Sequence, residues 1–286
     1  MRHAWHVTSA IAGFDPARYA RRLGLARLPE PTLAGVRRLV AAHALAIPFE
    51  NLDAVLGRGV DLSPEAVFAK LVEQRRGGWC FEQNLLLGMA LRHLGLEVAD
   101  HAGQVIWFRP PGHGGPRTHR LLLVDIEGRR YVADAGFGAV TLTDVLALEP
   151  DVEQVTSHET FRFIREGAIW RQEVRLRDEW RTTYRFDLCP WWPDDFAPVN
   201  YQLAHDPKSQ FVQAVNLARV LPQGRLGLRD AEFTRRAPDG TPQTRTLRDV
   251  DEMLGVIEGE FGIEARALPG IEERLAQCFV PPPASL

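Results

Sequence analysis

The order of patterns along this chain predicts an α+β fold, with a helical lobe first, an all-β lobe next and a mixed lobe last. Two observations carry that reading. In the first hundred residues apolar side chains recur three and four apart (Tyr19 and Leu23; Val36, Leu39 and Val40; Val67 and Leu71), between the turn signals Pro29-Glu30-Pro31 and Gly57-Arg58-Gly59. Ser63-Pro64-Glu65 adds an N-cap and a first-turn proline. From about Val98 the pattern changes to short β-branched, aromatic and apolar runs: Gln104 to Phe108, His119 to Ile126, Tyr131 to Ala135, Phe161 to Ile164, Glu173 to Leu176 and Thr182 to Leu188. These predict a small barrel or sandwich, with Pro110 to Pro116 as a loop. After Pro190-Trp191-Trp192-Pro193 the sequence predicts a helix from Ser209 to Asn216, several short strands and a helix from about Leu247 to Phe261. The lobes divide as residues 1–97, 98–204 and 205–286.

Composition narrows the class of protein. The chain has 286 residues, 45% hydrophobic and 25% charged, which is ordinary globular usage. Its 34 Lys and Arg against 37 Asp and Glu leave a net charge of −3, so no global field grips a phosphate backbone, and nucleic acid is not an expected partner. No run reaches the roughly 18 to 20 apolar residues of a membrane span, and Met1-Arg2-His3-Ala4-Trp5-His6 has no signal-like apolar run. The expected location is cytoplasmic, with no membrane partner. Cys80, Cys189 and Cys278 lie far apart with no CxxC pair, so neither a disulfide framework nor a metal site is written in them.

Cys80 stands out by its surroundings. It follows Arg75-Arg76-Gly77-Gly78-Trp79 and precedes Leu85, Leu86, Met89, Leu91 and Leu94 at helical spacing, which puts it in the first turn of a buried helix. Unpaired amides there favour a thiolate, and Gly77-Gly78 leaves room for close backbone approach from outside. Cys189 and Cys278 have no such setting. Most lone cysteines are small buried hydrophobes, so a nucleophile needs partners, usually a histidine held by a carboxylate.

A hairpin supplies them. His119 to Ile126 and Arg129 to Asp134 flank Glu127-Gly128, which reads as a two-residue turn. In that register Asp134 lies opposite Leu121, and His119 shares the face of Leu121. His119 and Asp134 are then diagonal neighbours, about 7 to 8 Å apart at the backbone. A one-residue slip would separate them. Asp134 runs into Ala135-Gly136-Phe137-Gly138, a turn where backbone can approach a ligand but not a dinucleotide fingerprint, since no βαβ unit follows.

Together these segments resemble the arylamine N-acetyltransferase family. Arg76 to Asn84 resembles its nucleophile motif, Pro116-Arg117-Thr118-His119 its histidine motif, and Ala133 to Gly138 its aspartate motif. The likeness extends to Phe14 through Leu25, to His43 through Asp53 with Ile47-Pro48-Phe49-Glu50-Asn51, and to Asp195 through Arg219 with Asn200 and Phe211. The resemblance implies a helical bundle, a central antiparallel β-barrel and a C-terminal α/β lid. It further implies ping-pong acetyl transfer from acetyl-CoA, without a metal, to arylamine, arylhydroxylamine or hydrazine nitrogen. Cys80 is then the acyl acceptor, His119 its partner and Asp134 the orienting carboxylate. Phe137 and Trp79 line the pocket, Gly138 meets the coenzyme, and Arg76 with Glu50 forms a structural ion pair. Trp79 stands where a smaller aromatic is common and Ala135 where valine is common. The alternatives are an amide synthase of antibiotic biosynthesis within the family, a cysteine hydrolase or transglutaminase-like enzyme, and a binding module with an accidental triad.

Overall fold

The computed structural model describes residues 12–110 and 114–280. Met1 to His6, the triple proline from Pro281, and Pro111, Gly112 and His113 of the expected loop lie outside the described residues.

The first helices begin where the sequence supplies a cap. The Asp15 carboxylate accepts from the Ala17 and Arg18 amides and starts α1 (Pro16–Arg22). Thr32 caps α2 (Leu33–Ala46). A two-residue strand β1 (Phe49–Glu50) and a short α3 (Leu52–Val55) follow. Ser63 caps α4 (Pro64–Phe68), with proline in the first turn as expected, and the chain passes through a π-helical turn into α5 (Cys80–His93).

The middle of the chain forms one eight-stranded antiparallel sheet that curls into a nearly closed barrel. Its strands are β2 (Glu97–Val105), β3 (His119–Ile126), β4 (Arg129–Ala133), β5 (Leu146–Ala147), β6 (Gln154–Val155), β7 (Thr160–Glu166), β8 (Ile169–Leu176) and β9 (Glu179–Phe186), in the order β5-β4-β3-β2-β9-β8-β7-β6. Glu127 and Gly128 both take positive φ, 51° and 79°, which is the turn geometry that fits the right-handed twist of a hairpin. The expected register is observed, from Ile126 opposite Arg129 to Leu122 opposite Ala133.

Strand β3 is apolar on both faces because both are covered. Leu122, Val124 and Ile126 pack with Leu39, Leu71 and Leu86 of the helical lobe. Leu121 and Leu123 pack inside the barrel with Phe161, Phe163, Tyr184 and Phe186. His119, of the same parity as Leu121, therefore turns toward the barrel interior.

The chain then forms α6 (Pro193–His205) and α7 (Gln210–Gln213). A second antiparallel sheet follows, with β10 (Asn216–Val220), β11 (Arg225–Arg229), β12 (Glu232–Arg236) and β13 (Pro242–Thr246). Helices α8 (Val250–Val256) and α9 (Ile271–Ala276) pack on it. Strand β1 completes this sheet in the order β1-β10-β11-β12-β13, so two residues of the helical lobe are stitched to the lid.

Three elements differ from expectation. The run from Gln104 is the tail of β2: a turn at Ile106 to Arg109, with Phe108 at φ 53°, leaves Trp107 and Phe108 beyond the strand. The helix expected from Ser209 to Asn216 is a single turn, because Ala214 is extended and Asn216 already pairs with Arg229 in the sheet. Helix α6 is additional. It starts at Pro193, carries Pro198, and seats Phe196 against Phe81 at 5.7 Å between ring centroids. Among the described residues no helix is long and apolar enough to cross a membrane.

Candidate active site

Cys80 is the first residue of α5, and its backbone is held from beneath by a buried ion-pair cluster. The Glu82 carboxylate accepts the Trp79 amide at 3.0 Å, capping the helix. Lys70 Nζ lies 2.7 Å from Glu82 and 2.6 Å from Asp53. Arg76 closes the cluster, 2.7 Å from Glu50 and 3.0 Å from Asp53. Removing one partner of such a buried pair costs about 3 to 5 kcal/mol, so the loop that carries Cys80 resists displacement.

Gly77 is required here by chain packing: a Cβ on it would lie 2.2 Å from the Pro48 carbonyl oxygen. The backbone approach that this glycine pair permits is thus made by β1, since Gly78 donates to Pro48 O and accepts from the Glu50 amide. The expected external approach is not what occupies it.

The hairpin brings His119 and Asp134 together as the register requires. His119 Nε2 lies 2.7 Å from Asp134 Oδ2, and both side chains are buried. The other carboxylate oxygen accepts from Asn84 Nδ2 at 2.9 Å and from the Gly136 amide at 3.0 Å. Asn84 sits one turn along α5 from Cys80. Its amide nitrogen also donates to Arg120 O at 2.5 Å, and its oxygen accepts the Ala135 amide at 2.9 Å. One buried amide therefore ties the cysteine helix to both strands of the hairpin.

Charge follows from this geometry. Burial disfavours the imidazolium, but the adjacent Asp134 carboxylate, with a smaller contribution from Cys80, outweighs it and raises the His119 pKa to about 10. Burial likewise opposes ionisation of Asp134, yet His119, Asn84 and the Gly136 amide hold its carboxyl below the usual range. The Cys80 thiol donates to Thr118 O at 3.6 Å.

An aromatic wall surrounds the imidazole. Phe137 meets it edge-on at 5.3 Å, Tyr184 lies against it at 4.8 Å, and Trp107 packs on Phe137 at 5.8 Å. Burial and then the Asp134 charge push the Tyr184 hydroxyl well above its ordinary pKa, and it accepts from Gln172 Nε2 at 2.8 Å. Gly138 takes φ 82° and donates to Thr141 Oγ1 at 2.8 Å. Trp79 lies deeper than a pocket-wall residue, buried with its ring edge-on to Phe81 and Phe211.

The structure thus gathers Cys80, His119, Asp134, Phe137 and Gly138 in one place and sets Arg76 and Glu50 in the supporting cluster. Sequence reading did not single out Asn84, Tyr184, Lys70, Asp53 or Glu82 as site residues. Asn84 and Glu82 stood inside the quoted motif, but their side-chain partners Asp134 and Lys70 lie 50 and 12 residues away in sequence. Tyr184 lies on a strand fifty residues beyond Asp134, and nothing local marks it.

Relatives of known type share most of this chain. An arylamine N-acetyltransferase / N-hydroxyarylamine O-acetyltransferase of Salmonella typhimurium is 39% identical over 246 residues, 86% of this chain and 87% of the relative. An arylamine N-acetyltransferase of Mycolicibacterium smegmatis is 38% identical over 269 residues, 92% and 98% of the two chains. The N-acetyltransferase family profile matches residues 32–268. The chain belongs to the arylamine N-acetyltransferase family. The family fold is shared in detail: the structure of the Mycobacterium marinum arylamine N-acetyltransferase in complex with CoA superposes with a TM-score of 0.88 at 34% identity, covering 92% of this chain and 99% of that one. That of the Salmonella typhimurium family member gives 0.86 at 37%, covering 96% and 98%. Among the described residues no three His, Cys, Asp or Glu side chains group as metal ligands.

Proposed function

We propose that this chain transfers acetyl from acetyl-CoA to the nitrogen of arylamines, arylhydroxylamines or hydrazines in two half-reactions through an acetyl-Cys80. The observation that carries the reading is the buried His119–Asp134 pair, 2.7 Å apart, set beside a cysteine at a helix start in a chain of this family. The CoA complex of the Mycobacterium marinum relative supports acetyl-CoA as donor.

In the first half-reaction the Cys80 sulfur attacks the acetyl carbonyl carbon as thiolate, its proton held on His119. The bond from that carbon to the coenzyme sulfur breaks, and His119 returns a proton to the departing thiolate. Exchange of one thioester for another is close to balanced in energy, so the acetyl group is stored without loss. In the second, the amine attacks acetyl-Cys80, the carbon–sulfur bond breaks, and His119 removes the extra proton from nitrogen; such base catalysis contributes about 10² to 10⁴-fold. Asp134 keeps the imidazole oriented and stabilises its charged form whenever it holds a proton, with Asn84 as its positioning residue. Phe137, half-buried beside the imidazole, offers a face to a flat ring, worth about 0.5 to 1.5 kcal/mol beyond burial. Gly138 presents backbone to the coenzyme, and Arg76, Glu50, Lys70 and Glu82 hold the nucleophile loop.

The test is coenzyme A release from acetyl-CoA with a panel of arylamines and hydrazines and a no-amine control, together with mass spectrometry of enzyme exposed to acetyl-CoA alone. One added acetyl on the Cys80 peptide and amine-dependent turnover are expected. Acetylation of Cys189 or Cys278, or release equally fast without amine, overturns the assignment.

A further inference from the structure

A cavity of about 370 Å³ lies where the barrel meets the lid, at the turns that follow β6, β8, β10 and β12. Four arginines line it, Arg175, Arg177, Arg225 and Arg236, against two carboxylates, Glu159 and Asp239. Arg225 is 4% exposed. Its Nε and Nη2 meet Glu159 at 2.7 and 2.6 Å, and Nη2 also donates to Thr141 O at 2.8 Å. Its Nη1 is buried with no partner among the described residues, and so is Nη1 of Arg236.

Arg236 enters no ion pair among the described residues, and the charges it feels are Arg225 and Glu159. Two guanidinium groups therefore share one carboxylate. At the rim Arg175 already pairs with Glu153 at 3.1 Å, and Arg177 faces Asp239. The inner pair keeps one positive charge and two buried N–H groups uncompensated, an arrangement that is costly unless something answers it.

We propose that this pocket binds a phosphate-type oxyanion. A guanidinium presents a planar fork that matches phosphate oxygens in pairs, and a phosphate monoester carries about −1.5 to −2 charges at neutral pH, enough to neutralise the inner pair and engage Arg177. The volume sits at the small end of ligand pockets, roughly 300 to 1,000 Å³. Free phosphate and the phosphate ester of an adenosine nucleotide share this chemistry. The proposal goes beyond the acetyl-transfer reading, and its phosphate test does not depend on activity.

The experiment follows melting temperature of the full chain against sodium phosphate and against sodium chloride of equal ionic strength, for wild type, Arg236→Gln and Arg177→Asn. Asparagine suits the positive φ of 55° at position 177. Wild type should show a saturating rise specific to phosphate, with apparent affinity about tenfold weaker in both variants. In phosphate-free buffer Arg236→Gln should melt no lower than wild type, because it removes the unanswered charge. If adenosine 3′,5′-bisphosphate competes with phosphate and Arg236→Gln raises KM for acetyl-CoA, the nucleotide is the source; phosphate binding without competition assigns the site to the free anion. Equal responses to phosphate and chloride, or equal phosphate affinity in wild type and both variants, overturn the proposal.

Discussion

Gly136→Ala measures how closely the aspartate strand presses on the cysteine helix. A Cβ on Gly136 would stand 2.6 Å from Cys80 Cα, 3.1 Å from Cys80 Cβ and 3.0 Å from Asn84 Nδ2. Non-bonded carbons rest about 3.5 to 4.0 Å apart, so Cys80 and the end of the hairpin must separate by about 1 Å. Gly136 is not among the residues of positive φ, so alanine brings no backbone strain of its own. A misplacement of about 1 Å costs roughly 10²-fold in rate, while overpacking costs about 1 to 3 kcal/mol, a few degrees of melting temperature for a chain of this size. The assay pairs kcat/KM for arylamine-dependent coenzyme A release with thermal melting followed by circular dichroism. Gly227→Ala is the control, since a methyl there meets nothing within 4 Å. The expected outcome is a folded Gly136→Ala enzyme about a hundredfold slower beside an unaffected control. A Gly136→Ala enzyme as fast as the control would refute the argument that this contact sets the distance between nucleophile and hairpin.

Cys80→Ser should fold and lose transfer, with no acetylated peptide by mass spectrometry; residual turnover near wild type rules the nucleophile out. Asp134→Asn should drop kcat/KM by about 10³ to 10⁴-fold, as expected when the carboxylate behind a histidine becomes an amide, and wild-type turnover would reduce Asp134 to a turn residue. The pair also has a pH signature. His119 is raised from 6.5 to about 10, so its stabilisation is full below about pH 6.5 and is lost as pH rises toward 10. Asp134 is lowered from 3.8, so its share is present above that pH and lost as pH falls. The melting-temperature gap between wild type and Asp134→Asn should therefore be widest between about pH 4 and 6.5 and narrow above pH 7; a gap unchanged from pH 6 to 9.5 contradicts it. Lys70→Met should destabilise by about 3 to 5 kcal/mol, because Glu82, Asp53 and Glu50 are then left with Arg76 as their one cation in the cluster, read from urea midpoints; a change below about 1 kcal/mol dismisses the cluster as a support.

What could be read in advance followed from local chemistry. Glu127-Gly128 demands a tight turn, the turn sets the register, and the register alone puts His119 beside Asp134. Cys80 was legible as a helix start because helical periodicity begins right after it. What was not legible depends on contacts between distant segments. The two residues of β1 pair with Leu217 and Ala218, more than 160 positions away, and no two-residue run announces a strand. Tyr184 reaches His119 only because β2 joins β9 to β3 in the barrel. Helix α6 was assigned no element in advance, since Pro193 and Pro198 interrupt its pattern, yet Pro193 sits in the first turn, where its missing N–H costs nothing. Gly77 and Gly78 read as an opening for a ligand, whereas the neighbour they admit is the chain itself.

The three groups that would do the chemistry come from two lobes that meet through one shared apolar core. His119 and Asp134 belong to one hairpin, fifteen residues apart, whereas Cys80 rides on a helix of the other lobe. During refolding the hairpin can close in microseconds on local contacts, long before the helical lobe has settled against the outer face of β3. Until that docking the sulfur is away from its histidine, and Asn84 is not yet there to hold Asp134. Recovery of activity after denaturation is therefore a clock for the docking of the two lobes, running behind the recovery of strand signal by whatever time that docking takes.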